Sequence, residues 1–68
     1  MKLANHLRRF RFEHDEMSQQ ELASVVGVTR QTIFSIEKHK FVPSTLLALK
    51  LARVFQTTVE QIFYITEE

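Results

Sequence analysis

The residues of this 68-residue chain best able to do acid–base or metal chemistry are its three histidines, His6, His14 and His39. His14 stands beside Glu13, Asp15 and Glu16, residue types that can hold a metal or move protons. Their spacing argues against both uses. Consecutive residues at a helix end point in different directions, and the run lacks the i, i+4 pair of a helical metal site. There is no cysteine, which removes thiolate metal sites and disulfides. No Ser-His-acid arrangement is visible, and a single glycine cannot build a loop that cradles phosphate. The chain reads as a non-enzyme without metal or cofactor.

What remains is recognition by hydrogen bonds and charge. From Gln19 to Glu37 the chain reads QQELASVVGVTRQTIFSIE, with the only glycine, Gly27, between two short amphipathic segments. A glycine closing one helix, followed at once by a threonine that can cap the next, describes two helices joined by a tight turn. A helix-turn-helix is the commonest way for a small domain to set a helix into the DNA major groove.

The elements that must position this turn are also helical by periodicity. Leu3, Leu7 and Phe10 fall at i, i+4 and i+7, which predicts a first helix over about Lys2–His14. Ser18 with Glu21 forms a capping box for a second helix, about 19–26, burying Leu22, Ala23 and Val26. Thr29 caps a third, about 30–38, with Ile33 and Ile36 inward. Pro43-Ser44 opens a fourth, with a core stripe of Leu47, Ala48, Leu51, Ala52 and Phe55. Thr58 with Gln61 is a second capping box, for a short fifth helix around Val59–Ile62. The aromatic and β-branched tail Phe63-Tyr64-Ile65-Thr66 can form a short strand. The expected fold is all-α, five short helices in one domain over residues 1–68. Ala23 is placed where the second and third helices cross, so that a larger side chain would push them apart.

Bulk properties set limits. A chain of this length buries only about 60% of its unfolded surface, so dimerisation is the natural added support. No segment approaches the ~20 apolar residues of a membrane span, and the N-terminus lacks the apolar stretch of a signal peptide. A cytoplasmic protein is expected. The net charge is only +1, weak for a nucleic-acid binder. Its distribution is uneven: residues 1–40 carry seven Lys/Arg against five Asp/Glu, and residues 41–68 carry two against three. Arg8, Arg9, Arg11, Lys38 and Lys40 make up most of the cations, and local charge sets the field that phosphates feel.

Four blocks, LRRFR, MSQQELASVVGVTRQTI, IEKHKFVPS and LALKLARVFQTTVEQIF, span almost the whole chain. Together they resemble the phage-repressor-like (Cro/Xre-type) helix-turn-helix family, and in particular its short members without a ligand-binding domain. The resemblance implies a five-helix, lambda-repressor-like domain and a nucleoid-associated transcriptional regulator, usually a repressor, that binds double-stranded DNA as a homodimer. It implies that the third helix is the recognition helix, with Arg30, Gln31, Phe34 and Ser35 toward base edges. Arg can grip guanine O6/N7 bidentately and Gln can do the same for adenine N6/N7, each pair contributing about 1–3 kcal/mol of discrimination. Phosphate contacts fall on Gln19, Thr29, Thr32, Lys38, His39 and Lys40. Gln19 opens the second helix, and a helix N-terminus suits an anion independently of ancestry.

The chain departs from the family pattern at three points. One extra residue separates Arg11 from Ser18-Gln19, which lengthens the first turn and displaces the arginine of an Arg11–Glu37 ion pair that the family pattern implies. Lys38-His39 replaces the usual Asn-Gly, and a left-handed His39 costs about 1 kcal/mol. Phe34 occupies an outward position that is more often polar or small; it can reach a thymine methyl or cover a neighbouring helix.

Leu46 and Leu49 lie off the main stripe of the fourth helix, and Ile62, Phe63, Tyr64 and Ile65 belong to the fifth helix and tail. Surplus apolar residues of this kind mark an interface. A homodimer through them would set two recognition helices about 34 Å apart on one face of the duplex. Two other functions fit the same residues: an antitoxin or restriction-modification controller, and a protein-interaction module of the same fold without DNA binding.

Overall fold

Side-chain caps set where most of the helices begin. In the computed structural model, which describes residues 1–67, the order is β1 (Lys2–Asn5), α1 (Leu7–Glu13), α2 (Gln19–Val26), α3 (Arg30–Glu37), α4 (Thr45–Val54), α5 (Val59–Ile62) and β2 (Phe63–Thr66). Before α2, the Ser18 hydroxyl accepts from the Glu21 N–H at 3.0 Å and the Glu21 carboxylate accepts from the Ser18 N–H at 2.8 Å. Two of the N–H donors left open at the helix start are thus satisfied reciprocally. Thr29, Ser44 and Thr58 accept from the N–H three residues on, at 3.2, 3.1 and 3.2 Å.

The ends of α2, α3 and α4 are built on left-handed residues, only one of them glycine. Gly27 takes φ +80° after α2, and both its own N–H and that of Val28 bond to the Ala23 carbonyl. His39 after α3 and Gln56 after α4 sit at φ 62° and 53°. At each, the next residue reaches back across the helix end: Lys40 N–H to the Ser35 carbonyl, and Thr57 N–H to the Ala52 carbonyl. These are Schellman ends, which satisfy carbonyls that the helix itself leaves open.

The N-terminus corrects the expected first helix and the all-α class. Residues Lys2–Asn5 form β1, antiparallel to β2, with Leu3 opposite Ile65 and Asn5 opposite Phe63. The apolar spacing of Leu3, Leu7 and Phe10 is real, but Leu3 meets the core from a strand. Two tertiary bonds decide the matter. The His6 N–H donates to the Ile62 carbonyl at 2.8 Å. Asn5 accepts from the Leu7 N–H at 3.0 Å and donates to the Ile36 carbonyl at 2.9 Å. Helix α1 therefore starts only at Leu7, and the tail predicted as a possible strand has a partner. The fold is mainly helical with a two-stranded sheet joining the ends of the chain.

Every helix sends a side chain to the centre: Leu7, Leu22, Ala23, Ile33, Leu51 and Ile62 are wholly buried. Ala23 is buried with Ile33 and Ile36, where α2 and α3 pack together. Of the α4 stripe, Leu47, Leu51 and Ala52 are buried, and Ala48 and Phe55 pack against the core from its edge. Among the described residues, no helix is long and apolar enough to cross a membrane.

Candidate nucleic-acid interface

Helix α3 has one committed side and one open side. Ile33 and Ile36 anchor it to the core. Arg30, Gln31, Phe34, Ser35 and the following Lys38 fall, at 100° per residue, on a continuous strip away from those anchors. Arg30 and Gln31 are exposed, Phe34 and Ser35 half-buried. The Gln31 amide N–H reaches the Ser35 hydroxyl at 3.4 Å. The Lys38 ammonium lies 5.7 Å from the Phe34 ring centroid, within range of a cation–π contact. The strip thus presents a guanidinium, an amide, a hydroxyl and an ammonium carried on an aromatic ring.

Around this strip stand the residues read as phosphate contacts. Thr29 and Thr32 share one hydrogen bond between their hydroxyls, at 3.0 Å, which leaves one O–H of the pair to donate outward. Lys38, His39 and Lys40 are exposed on the turn after α3. The left-handed His39 swings Lys40 back along the helix, where it lines a shallow recess with Gln31, Thr32, Ser35 and Phe41. Phe41, half-exposed at this edge, is a neighbour of the strip that no motif singled out. Gln19, half-buried at the start of α2, donates to Glu37 at 3.2 Å.

The Arg11–Glu37 pair forms despite the longer first turn. Arg11 donates Nε to Glu37 Oε2 at 2.6 Å, Nη2 to Oε1 at 2.9 Å, and Nη1 to the Met17 carbonyl at 2.8 Å. The turn between α1 and α2 coils through two successive left-handed positions, Asp15 (φ 57°) and Glu16 (φ 51°), and Arg11 still reaches Glu37. Asn5, which the sequence reading passed over, holds the same end of α3 through the Ile36 carbonyl. Placement of α3 therefore depends on α1 and β1 as well as on the turn at Gly27.

The histidines have structural surroundings. His6 stacks on Tyr64 at 4.6 Å, His14 meets the Phe55 ring edge-on at 5.5 Å, and His39 closes α3. Among the residues read as dimer contacts, Leu46 and Leu49 are 64% and 56% exposed, and Tyr64 and Ile65 are exposed on β2. Ile62 and Phe63 are buried in the chain's own core. Only the first four are open to a second copy, because the side chains of Ile62 on α5 and Phe63 at the start of β2 are turned into the core.

A helix-turn-helix family model matches residues 11–62, which contain α2, α3 and every residue of the strip. Curated relatives are similar over most of their length. YgzD of Bacillus subtilis, described as an uncharacterized HTH-type transcriptional regulator, is 51% identical over 75% of this chain and 77% of its own. A protein of the same description from Archaeoglobus fulgidus is 44% identical over 97% of this chain and 93% of its own. MJ0272 of Methanocaldococcus jannaschii, also so described, is 44% identical over 90% and 91%. With its turn, its capped third helix and these relatives, the chain belongs to the helix-turn-helix family of transcriptional regulators.

Proposed function

We propose that this protein is a sequence-specific repressor that binds a two-fold-symmetric operator as a homodimer, with α3 in the major groove. The observation that carries the reading is the open strip of α3. Arg30 and Gln31 stand exposed at its start, on a helix whose other side is locked by Ile33 and Ile36. Arg30 suits guanine O6/N7 and Gln31 suits adenine N6/N7, with Phe34 and Ser35 one turn further along. Gln19, the Thr29–Thr32 hydroxyls, and Lys38, His39 and Lys40 seat the domain on phosphates, contacts that fix register without reading sequence. Leu46, Leu49, Tyr64 and Ile65 supply the second copy. Two recognition helices related by a two-fold axis read half-sites about one helical turn apart. Occupancy of such a site near a promoter blocks transcription by exclusion.

Selection of bound fragments from random DNA tests the reading directly. The expected result is a palindrome with half-site spacing near 10 base pairs. The Arg30→Ala/Gln31→Ala variant should keep its helicity and lose the preference for that palindrome. Undiminished preference in the variant would overturn the assignment of these two residues.

A further inference from the structure

The two-stranded sheet leaves the outer edge of β2 without a neighbouring strand. The phase of its ladder is fixed by the His6 N–H, which donates to the Ile62 carbonyl at 2.8 Å. In an antiparallel ladder, bonded and non-bonded pairs alternate. With Ala4 opposite Tyr64 and Leu3 opposite Ile65, the Ala4–Tyr64 and Lys2–Thr66 pairs exchange hydrogen bonds. The Leu3–Ile65 and Asn5–Phe63 pairs do not. The N–H and C=O of Ile65 and the C=O of Phe63 therefore point outward from β2. The Phe63 N–H is already given to the Val59 carbonyl.

Among the described residues nothing covers this edge. Strand β2 packs on β1 and α5, and the Tyr64 ring leans back over the sheet to stack on His6 at 4.6 Å. Ile65 is 60% exposed. Soluble proteins commonly blunt an open edge with Lys, Pro or a bulge. The four residues of β2 include no Lys or Pro, and their register with β1 is regular. The edge of β1 differs. It carries Lys2, its other residues are half-buried, and the Asn5 side chain is bonded to the Leu7 N–H and the Ile36 carbonyl.

We propose that β2 pairs antiparallel with β2 of a second copy about a two-fold axis at Ile65, giving one sheet of four strands in the order β1-β2-β2-β1. This inference rests on the homodimer reading above and names the centre of that interface. A two-fold contact is self-complementary, so Ile65 meets its own counterpart, and each donates its N–H to the other's carbonyl. The outward Phe63 carbonyl then accepts from Glu67 of the partner subunit. Tyr64 falls opposite Thr66, an apolar pair stands at the axis, and no like charges oppose each other. The sheet also holds α3, because Asn5 on β1 donates to the Ile36 carbonyl. A sheet continuous across the axis thus fixes each α3 relative to its copy, and with it the spacing of the half-sites.

The test combines amide hydrogen exchange with sedimentation equilibrium. The Tyr64 and Thr66 amides, bonded within the chain, should be protected at every protein concentration. The Ile65 amide should be protected only in the dimer and lose that protection on dilution. Ile65→Pro deletes this N–H, and proline is tolerated on an edge strand where the N–H faces away from the ladder. The variant should therefore fold and keep Tyr64 and Thr66 protected. Its dimer dissociation constant should exceed that of Ile65→Ala by at least about tenfold, the effect of two lost hydrogen bonds. Its affinity for a single half-site should match that of wild type. An Ile65→Pro variant that fails to fold would overturn the phase of the ladder, and the pairing with it. A dimer whose Ile65 amide exchanges freely, or an Ile65→Pro dimer as tight as that of Ile65→Ala, would overturn the pairing and leave the homodimer intact. A wild-type chain that is monomeric both in solution and on the palindrome would remove the homodimer and the pairing together.

Discussion

The Arg11 guanidinium and the Glu37 carboxylate meet through two hydrogen bonds, at 2.6 and 2.9 Å, with side chains only 12% and 8% exposed. Helix α1 is thereby bound to the last turn of α3, although 26 positions separate the two residues. Removing one member leaves the other charge buried without its partner, the costly way to break an ion pair. Arg11→Ala should destabilise the fold by about 3 kcal/mol in urea unfolding. The Arg11→Ala/Glu37→Ala double variant should lose less than the sum of the single changes. A single-variant loss below about 1 kcal/mol would show that the pair behaves like an exposed surface contact.

Strong acid should remove the carboxylate cap at the start of α2. Two hydrogen bonds hold the Glu21 carboxyl below the ordinary carboxylate range, first that from the Ser18 backbone N–H and then that involving the Ser18 hydroxyl. A carboxyl depressed on folding contributes its stability above the unfolded pKa and loses it as pH falls through the folded one. The difference in melting temperature between wild type and Glu21→Gln should therefore shrink as pH drops through that range. A difference that stays constant into strong acid would rule out the capping box as its source.

Left-handed positions give opposite signs for glycine. Gly27→Ala meets no atom within 4 Å of the added Cβ, so its cost is the φ of +80° alone, about 1 kcal/mol. His39→Gly and Gln56→Gly relieve the corresponding strain at φ 62° and 53°, and each should stabilise by about 1 kcal/mol. Thermal unfolding of the three variants measures all the signs at once. His39→Gly also removes the imidazole read as a phosphate contact, so its gain in stability should come with weaker DNA binding.

The proposed dimer should be separable from the fold. Leu49 is exposed on α4, so Leu49→Glu leaves the core untouched and should change stability of the isolated chain by less than about 0.5 kcal/mol. Sedimentation equilibrium should show that it shifts the protein toward monomer, with a matching loss of affinity for the palindrome over a single half-site. A variant that stays dimeric would move the interface away from α4.

Sequence by itself determined whatever is decided within a few residues. Ser18, Thr29, Ser44 and Thr58 mark helix starts because a cap needs only the N–H three positions on. Gly27 marks a turn because a residue without Cβ takes a left-handed φ at little cost, and the 3.6-residue period separates Ile33 and Ile36 from Arg30, Gln31 and Phe34. The left-handed His39 was legible only through the family resemblance, from the Asn-Gly that Lys38-His39 replaces. Tertiary structure decided what depends on residues far apart. Lys2–Asn5 resembled the first turn of a helix until β2 offered a ladder, with Lys2 and Thr66 paired from opposite ends of the chain. Asn5 has no local signature, because its importance lies in a carbonyl 31 positions away. Apolar residues do not reveal which are surplus: Ile62 and Phe63 close the core, while Leu46 and Leu49 are left outside. Nor does a count of cations show which are free. Among the described residues Arg11 finds a carboxylate on another helix and Arg8 is in no ion pair, because pairing of this kind depends on which elements pack side by side, and no spacing along the chain records that.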